Sequence, residues 1–111
     1  MVGASLKDLQ AMPEEVKDEV GFVLGRVQEG KGHRAIKSLS GFQGVSEIRS
    51  DSDSDTYRVV YIVDLHDAIY VLHAFKKKSR KGTSTPQHEI NVIRARLKRA
   101  KEASYEEREQ R

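Results

Sequence analysis

Cysteine and tryptophan are absent from the 111 residues, and proline occurs only twice. Without cysteine there is neither a disulfide framework nor a thiolate metal site, and a reducing compartment, the cytoplasm, is the expected setting. No apolar run approaches the roughly 20 residues that a membrane span needs. Met1 to Asp8 also lack the basic flank and apolar stretch of a signal peptide. A chain of this length has room for one domain with one modest core. Acid is scarce in one half only: Val71 to Lys101 hold ten Lys or Arg against the single acid Glu89, whereas Met1 to Gly30 hold three against six. Segregated positive charge points to a polyanionic partner, because neutralising phosphates releases counterions. A merely solvated helix face is the competing reading.

Ser5 and Asp8 have capping-box spacing, which predicts a short helical turn from Leu6 to about Met12. Pro13 suits the first position of a second helix, in which Val16, Val20, Val23, Leu24 and Val27 form one apolar stripe, ended by Gly30 and Gly32. Gly21 and Gly25 lie four residues apart inside that helix and suggest close packing onto a neighbour. Val45 to Arg49 reads as a short strand, followed by a polar turn over Asp51, Ser52, Asp53, Ser54 and Asp55. A calcium loop would need Gly at its sixth position and Glu at its twelfth, and neither follows Asp51. Tyr57 to Val63 and Ala68 to Phe75 form a β-hairpin, joined by Asp64 to Asp67. Alternation puts Arg58, Val60 and Ile62 on one face of its first strand, and Tyr57, Val59, Tyr61 and Val63 on the other.

A cationic loop, Lys76 to Lys81, leads to a last helix that Ser84 or Thr85 can cap and Pro86 can open. That helix carries an apolar stripe of Ile90, Ile93, Leu97 and Ala100, with Arg94, Arg96, Lys98, Arg99 and Lys101 over the rest of its surface. Residues 1–103 are expected to form the domain and residues 104–111 a polar, disordered tail. The expected fold is α+β: a small antiparallel sheet with two N-terminal helices and one basic C-terminal helix.

No nucleotide-binding glycine loop and no nucleophile elbow occurs. His33, His66, His73 and His88 are too scattered to suggest zinc, and no cofactor is expected. What remains is a set of cations on the hairpin and in the loop after it. Cleavage of RNA by its own 2′-hydroxyl develops negative charge on the phosphoryl oxygens, and fixed guanidinium and ammonium groups answer that need.

Lys37-Ser38-Leu39-Ser40-Gly41-Phe42, Val45-Ser46-Glu47-Ile48-Arg49, Thr56-Tyr57-Arg58-Val59-Val60-Tyr61 and Tyr70-Val71-Leu72-His73-Ala74-Phe75-Lys76-Lys77-Lys78-Ser79 with Thr85-Pro86 together resemble phage-derived HigB-like toxins of the RelE superfamily. The resemblance implies a ribosome-dependent messenger-RNA endonuclease, held inactive by a cognate helix-turn-helix antitoxin of the HigA kind. Carried over by position, it makes Arg58 the phosphate-stabilising arginine, Arg49 an RNA contact, and Lys77 a second catalytic cation with Lys76 and Lys78 as alternatives. Arg80 and Lys81 extend the RNA-binding set. Relatives commonly open with a strand that this chain, beginning Met1-Val2-Gly3, would retain only in truncated form. The tyrosine base of several RelE members has no obvious counterpart, since Tyr105 lies in the polar tail. His73 is a candidate base, and a buried core histidine is an equal reading, with Ile69, Val71 and Phe75 at alternate positions around it. A noncatalytic RNA- or ribosome-binding module of the same fold is the alternative function, and a phage accessory protein a third.

Overall fold

The computed structural model describes residues 5–52, 55–63, 69–77 and 85–109. Its elements follow the order α1 (Ser5–Gln10), α2 (Glu14–Gln28), β1 (Ile36–Ser38), β2 (Ser46–Ser52), β3 (Asp55–Val63), β4 (Ile69–Lys77) and α3 (Gln87–Glu109). The strands form a single antiparallel sheet in sequential order, β1-β2-β3-β4, with helices at both ends of the chain. This is the α+β architecture that the helical and alternating patterns predict. No helix among the described residues is long and apolar enough to cross a membrane.

The two faces of the sheet carry separate cores. Val16, Val20 and Val23, three members of the predicted α2 stripe, are buried with Met12 against Ile48, Val59, Tyr61, Val71 and Ala74. Leu24 and Val27 pack at the margin of the same cluster. On the opposite face Ile93 and Ala100 of α3 meet Leu39, Val45, Val60 and Leu72, with Leu97 beside them. The alternation of β3 therefore divides as expected, with Val60 and Ile62 turned toward α3 and Tyr57, Val59 and Tyr61 toward α2.

Several local expectations need correction. Gly21 and Gly25 make no close approach: a Cβ at either would meet nothing within 4 Å. α2 begins at Glu14, so Pro13 stands just before it, its carbonyl accepting from the Val16 and Lys17 amides. β1 was not anticipated, being three residues of no clear alternation, and it closes the sheet beside β2. β2 runs on to Ser52, and Asp51 and Asp55, expected in a turn, are strand residues. α3 continues through Ser104 to Glu109, a segment expected to belong to a disordered tail. The truncated first strand at Met1 to Gly3, Asp53 and Ser54 of the polar turn, and the Asp64 to Asp67 connection lie outside the described residues.

One irregularity decides where side chains point. Val60 pairs with His73 but Tyr61 with Val71, so Leu72 is an extra residue in β4. The insertion shifts the phase of the strand. Val71 and Ala74 both belong to the α2-side cluster, whereas Tyr70, Leu72 and Phe75 belong to the α3 side. His73 consequently does not share a face with Val71, as strict alternation predicts. The carbonyl of Leu72, the extra residue, accepts a 3.0 Å hydrogen bond from Arg96 Nη1. Arg96, expected among the solvent-facing cations of α3, is thus turned inward.

Candidate functional site

β2 and β3 place Arg49 directly opposite Arg58, and Glu47 opposite Val60. Two residues apart on one strand, Glu47 and Arg49 share a face. That face looks into a cavity of about 360 Å³ lined by Arg49, Arg58, Glu47, Ser38, Ser40 and Thr85, with Leu39 and Ile90 supplying apolar wall.

Charge in this cavity is concentrated and largely removed from water. The side chains of Arg58 and Glu47 are only 4% and 3% exposed, with Arg58 Nη1 3.6 Å from Glu47 Oε2. Arg49, 29% exposed, donates from Nε to Glu47 Oε1 at 2.9 Å. A 3.3 Å hydrogen bond runs from Arg58 Nη1 to the Thr85 hydroxyl, tying the strand to the segment before α3. Burial pushes Arg58 below the usual arginine range; Glu47 opposes that shift and Arg49 adds to it. A guanidinium still keeps its proton under any physiological condition. The formal balance is two cations against one carboxylate, which leaves a net positive hollow with hydroxyls on its walls. Such a hollow suits a phosphodiester, since guanidinium donors match paired phosphoryl oxygens.

His73 lies elsewhere. The first turn of α3 separates it from the cavity: Glu89 turns to His73, while Ile90 lines the hollow. Nε2 of His73 sits 2.8 Å from Glu89 Oε2, and Nδ1 sits 3.1 Å from Arg96 Nη1. An arginine can only donate, so Nδ1 is the acceptor and Nε2–H donates to Glu89. Asp8 of α1 adds a carboxylate 3.9 Å from His73 and 3.8 Å from Arg96. Burial lowers the imidazole's proton affinity, opposed chiefly by Glu89. With both ring nitrogens engaged and Phe75 stacked on it at 4.9 Å, His73 joins three elements structurally.

The remaining candidates divide similarly. Lys76 pairs with Asp55 at 3.3 Å and lines a separate cleft with Asp8, Met12 and Tyr57. Lys77 closes the β4 ladder opposite Thr56. Lys78, Arg80 and Lys81 lie outside the described residues. Sequence reasoning singled out Arg49 and Arg58 but passed over Glu47 and Thr85. Glu47 was legible in principle, as a carboxylate two positions before an arginine on a strand that is otherwise half buried.

Fold and cavity together define a small RelE-like α+β protein with a cationic cavity on the α3 side of its sheet. Residues 7–98 match the family described as phage derived protein Gp49-like (DUF891), and the chain belongs to that family, which is RelE-like and toxin-like. No curated protein and no solved structure matches the chain significantly.

Proposed function

We propose that this protein is the toxin of a toxin-antitoxin pair, a HigB-like endonuclease that cuts messenger RNA on the ribosome and is restrained by a helix-turn-helix antitoxin. The observation that carries this reading is the cross-strand pair Arg49 and Arg58 facing one hollow with Glu47 between them. In the proposed reaction the scissile phosphate enters the hollow, its non-bridging oxygens taken by the two guanidiniums. The ribose 2′-oxygen attacks phosphorus, the bond to the 5′-oxygen breaks, and the leaving 5′-oxygen takes a proton from water, giving a 2′,3′-cyclic phosphate and a 5′-hydroxyl. Glu47, the carboxylate of the hollow, is proposed as the acceptor of the 2′-hydroxyl proton. Arg58, fixed by burial, answers the charge that grows on the phosphoryl oxygens.

The test is induction of the chain in a bacterium followed by mapping of transcript 5′ ends, wild type beside Arg58→Ala. Loss of one preorganised donor of this type lowers the rate on the order of 100- to 1000-fold, so cut ends should vanish with the substitution. Wild-type chain that binds ribosomes or RNA and leaves transcripts whole would establish a noncatalytic binding module instead.

A further inference from the structure

Phe22 on α2 is 61% exposed, an unusual position for a phenylalanine that joins neither core. Its ring meets His33 edge to face, with centroids 6.0 Å apart at 78°. The pair is organised despite its exposure. The Ala35 amide donates to His33 Nδ1 at 3.0 Å, which fixes the imidazole, and Arg26 Nε donates to the Gly32 carbonyl at 2.9 Å, which holds the loop against α2. Both rings border a second, more open concavity of about 610 Å³, whose walls carry the carboxylates of Asp18, Glu19 and Asp51 and the cation of Arg34. Arg49 lines this concavity as well as the first.

We infer that the Phe22 and His33 concavity is a nucleobase subsite, holding an amino-bearing base, guanine foremost, of a nucleotide whose phosphate is held at Arg49. The inference rests on reading the arginine hollow as an RNA phosphate site. Single-stranded bases are recognised by stacking on aromatic and imidazole rings and by hydrogen bonds to their edges. Carboxylates repel a sugar-phosphate backbone but accept from the amino and ring N–H groups of a base. Guanine presents two such donors side by side, adenine and cytosine one amino group, and uracil a single ring N–H. The wall chemistry therefore selects for the base, while the shared arginine keeps the backbone in register with the first hollow. A protein partner would explain an exposed phenylalanine alone, but not a carboxylate-walled hollow that shares Arg49 with the arginine site.

The experiment measures binding of uncuttable 2′-O-methyl RNA hexamers by fluorescence anisotropy: a hexamer of uridines, and a series in which guanine replaces uracil at each position in turn. One guanine position should tighten binding to wild type about tenfold. Phe22→Ala should erase that gain with the melting temperature unchanged, and Phe22→Trp should keep it. A guanine series with no preferred position, or a gain that survives Phe22→Ala, overturns the subsite. If Arg58→Ala weakens the uridine hexamer meanwhile, the phosphate-site reading stands and only the base site falls. If Arg58→Ala leaves it unweakened, both fall. Should Phe22→Ala bind every hexamer as wild type does yet lose growth inhibition, the ring faces a protein and the inference is overturned.

Discussion

Replacing Glu47 with glutamine should destabilise the protein more than replacing Arg58 with methionine, although both remove one charge from the same pair. In Glu47→Gln two guanidiniums remain opposite each other in the ladder, one of them buried, and neither keeps the carboxylate that now faces it. Removing one partner of a buried ion pair costs about 3 to 5 kcal/mol. At roughly 4 °C per kcal/mol for a domain near this size, that is a melting temperature lower by about 12 to 20 °C. In Arg58→Met the apolar chain replaces the arginine stem and Glu47 keeps its 2.9 Å bond to the partly exposed Arg49. Glu47 is not left without a counterion, and the loss should be about 1 to 2 kcal/mol, the scale of the hydrogen bond to Thr85 that disappears. Thermal unfolding followed by circular dichroism at pH 7 reads both values. An Arg58→Met protein that melts below Glu47→Gln, or a Glu47→Gln protein that melts with wild type, would refute the assignment of Glu47 as the counterion shared by two arginines.

Ile93→Ala should cost about 2 to 5 kcal/mol, since the side chain is fully buried against the sheet; urea titration gives the difference directly. His73 predicts a pH dependence. Its folded-state value lies below the ordinary imidazole value, so the contribution is complete above about pH 6.5 and declines as pH falls, because the unfolded chain takes up the proton first. Urea midpoints between pH 7.5 and 5 should therefore fall more steeply for wild type than for His73→Asn, and equal slopes would argue against a neutral His73 held by Arg96. Two glycine substitutions should have opposite signs. Gly44 has φ of 76°, so Gly44→Ala should lose about 1 kcal/mol to backbone strain. Gly25 lies inside α2 with open space around it, so Gly25→Ala should gain about 0.5 to 1 kcal/mol, both read as shifts in melting temperature.

Long periodic segments were the legible part of the fold. The α2 valines and the alternation of β3 report burial on a single side, which is what period encodes. β1 escaped notice because three residues hold less than two periods of any pattern. The extra residue at Leu72 escaped because alternation counts positions and has no sign for an insertion, and every assignment beyond it along β4, including the side on which His73 lies, depended on that count. For the site, Arg49 and Arg58 could be found on their strands, but their meeting depends on the β2–β3 register, which no local pattern contains. Arg96 looked like one more surface cation because its acceptor, the Leu72 carbonyl, is a backbone atom 24 residues away that no side-chain pattern reports.

The irregularity at Leu72 also decides how one hairpin meets two cores. On one side of Leu72 the hairpin pairs Arg58 with Phe75; on the other it pairs Ile62 with Tyr70. Deleting a single residue there would force one half of β4 to slide, and a one-residue slide trades the two sides of a strand. Shortened in that way, β4 could satisfy the valine layer under α2 or the leucine layer under α3, but not both. The spare residue lets one hairpin serve two unlike surfaces while its guanidinium opens toward Thr85 and away from the valines of α2.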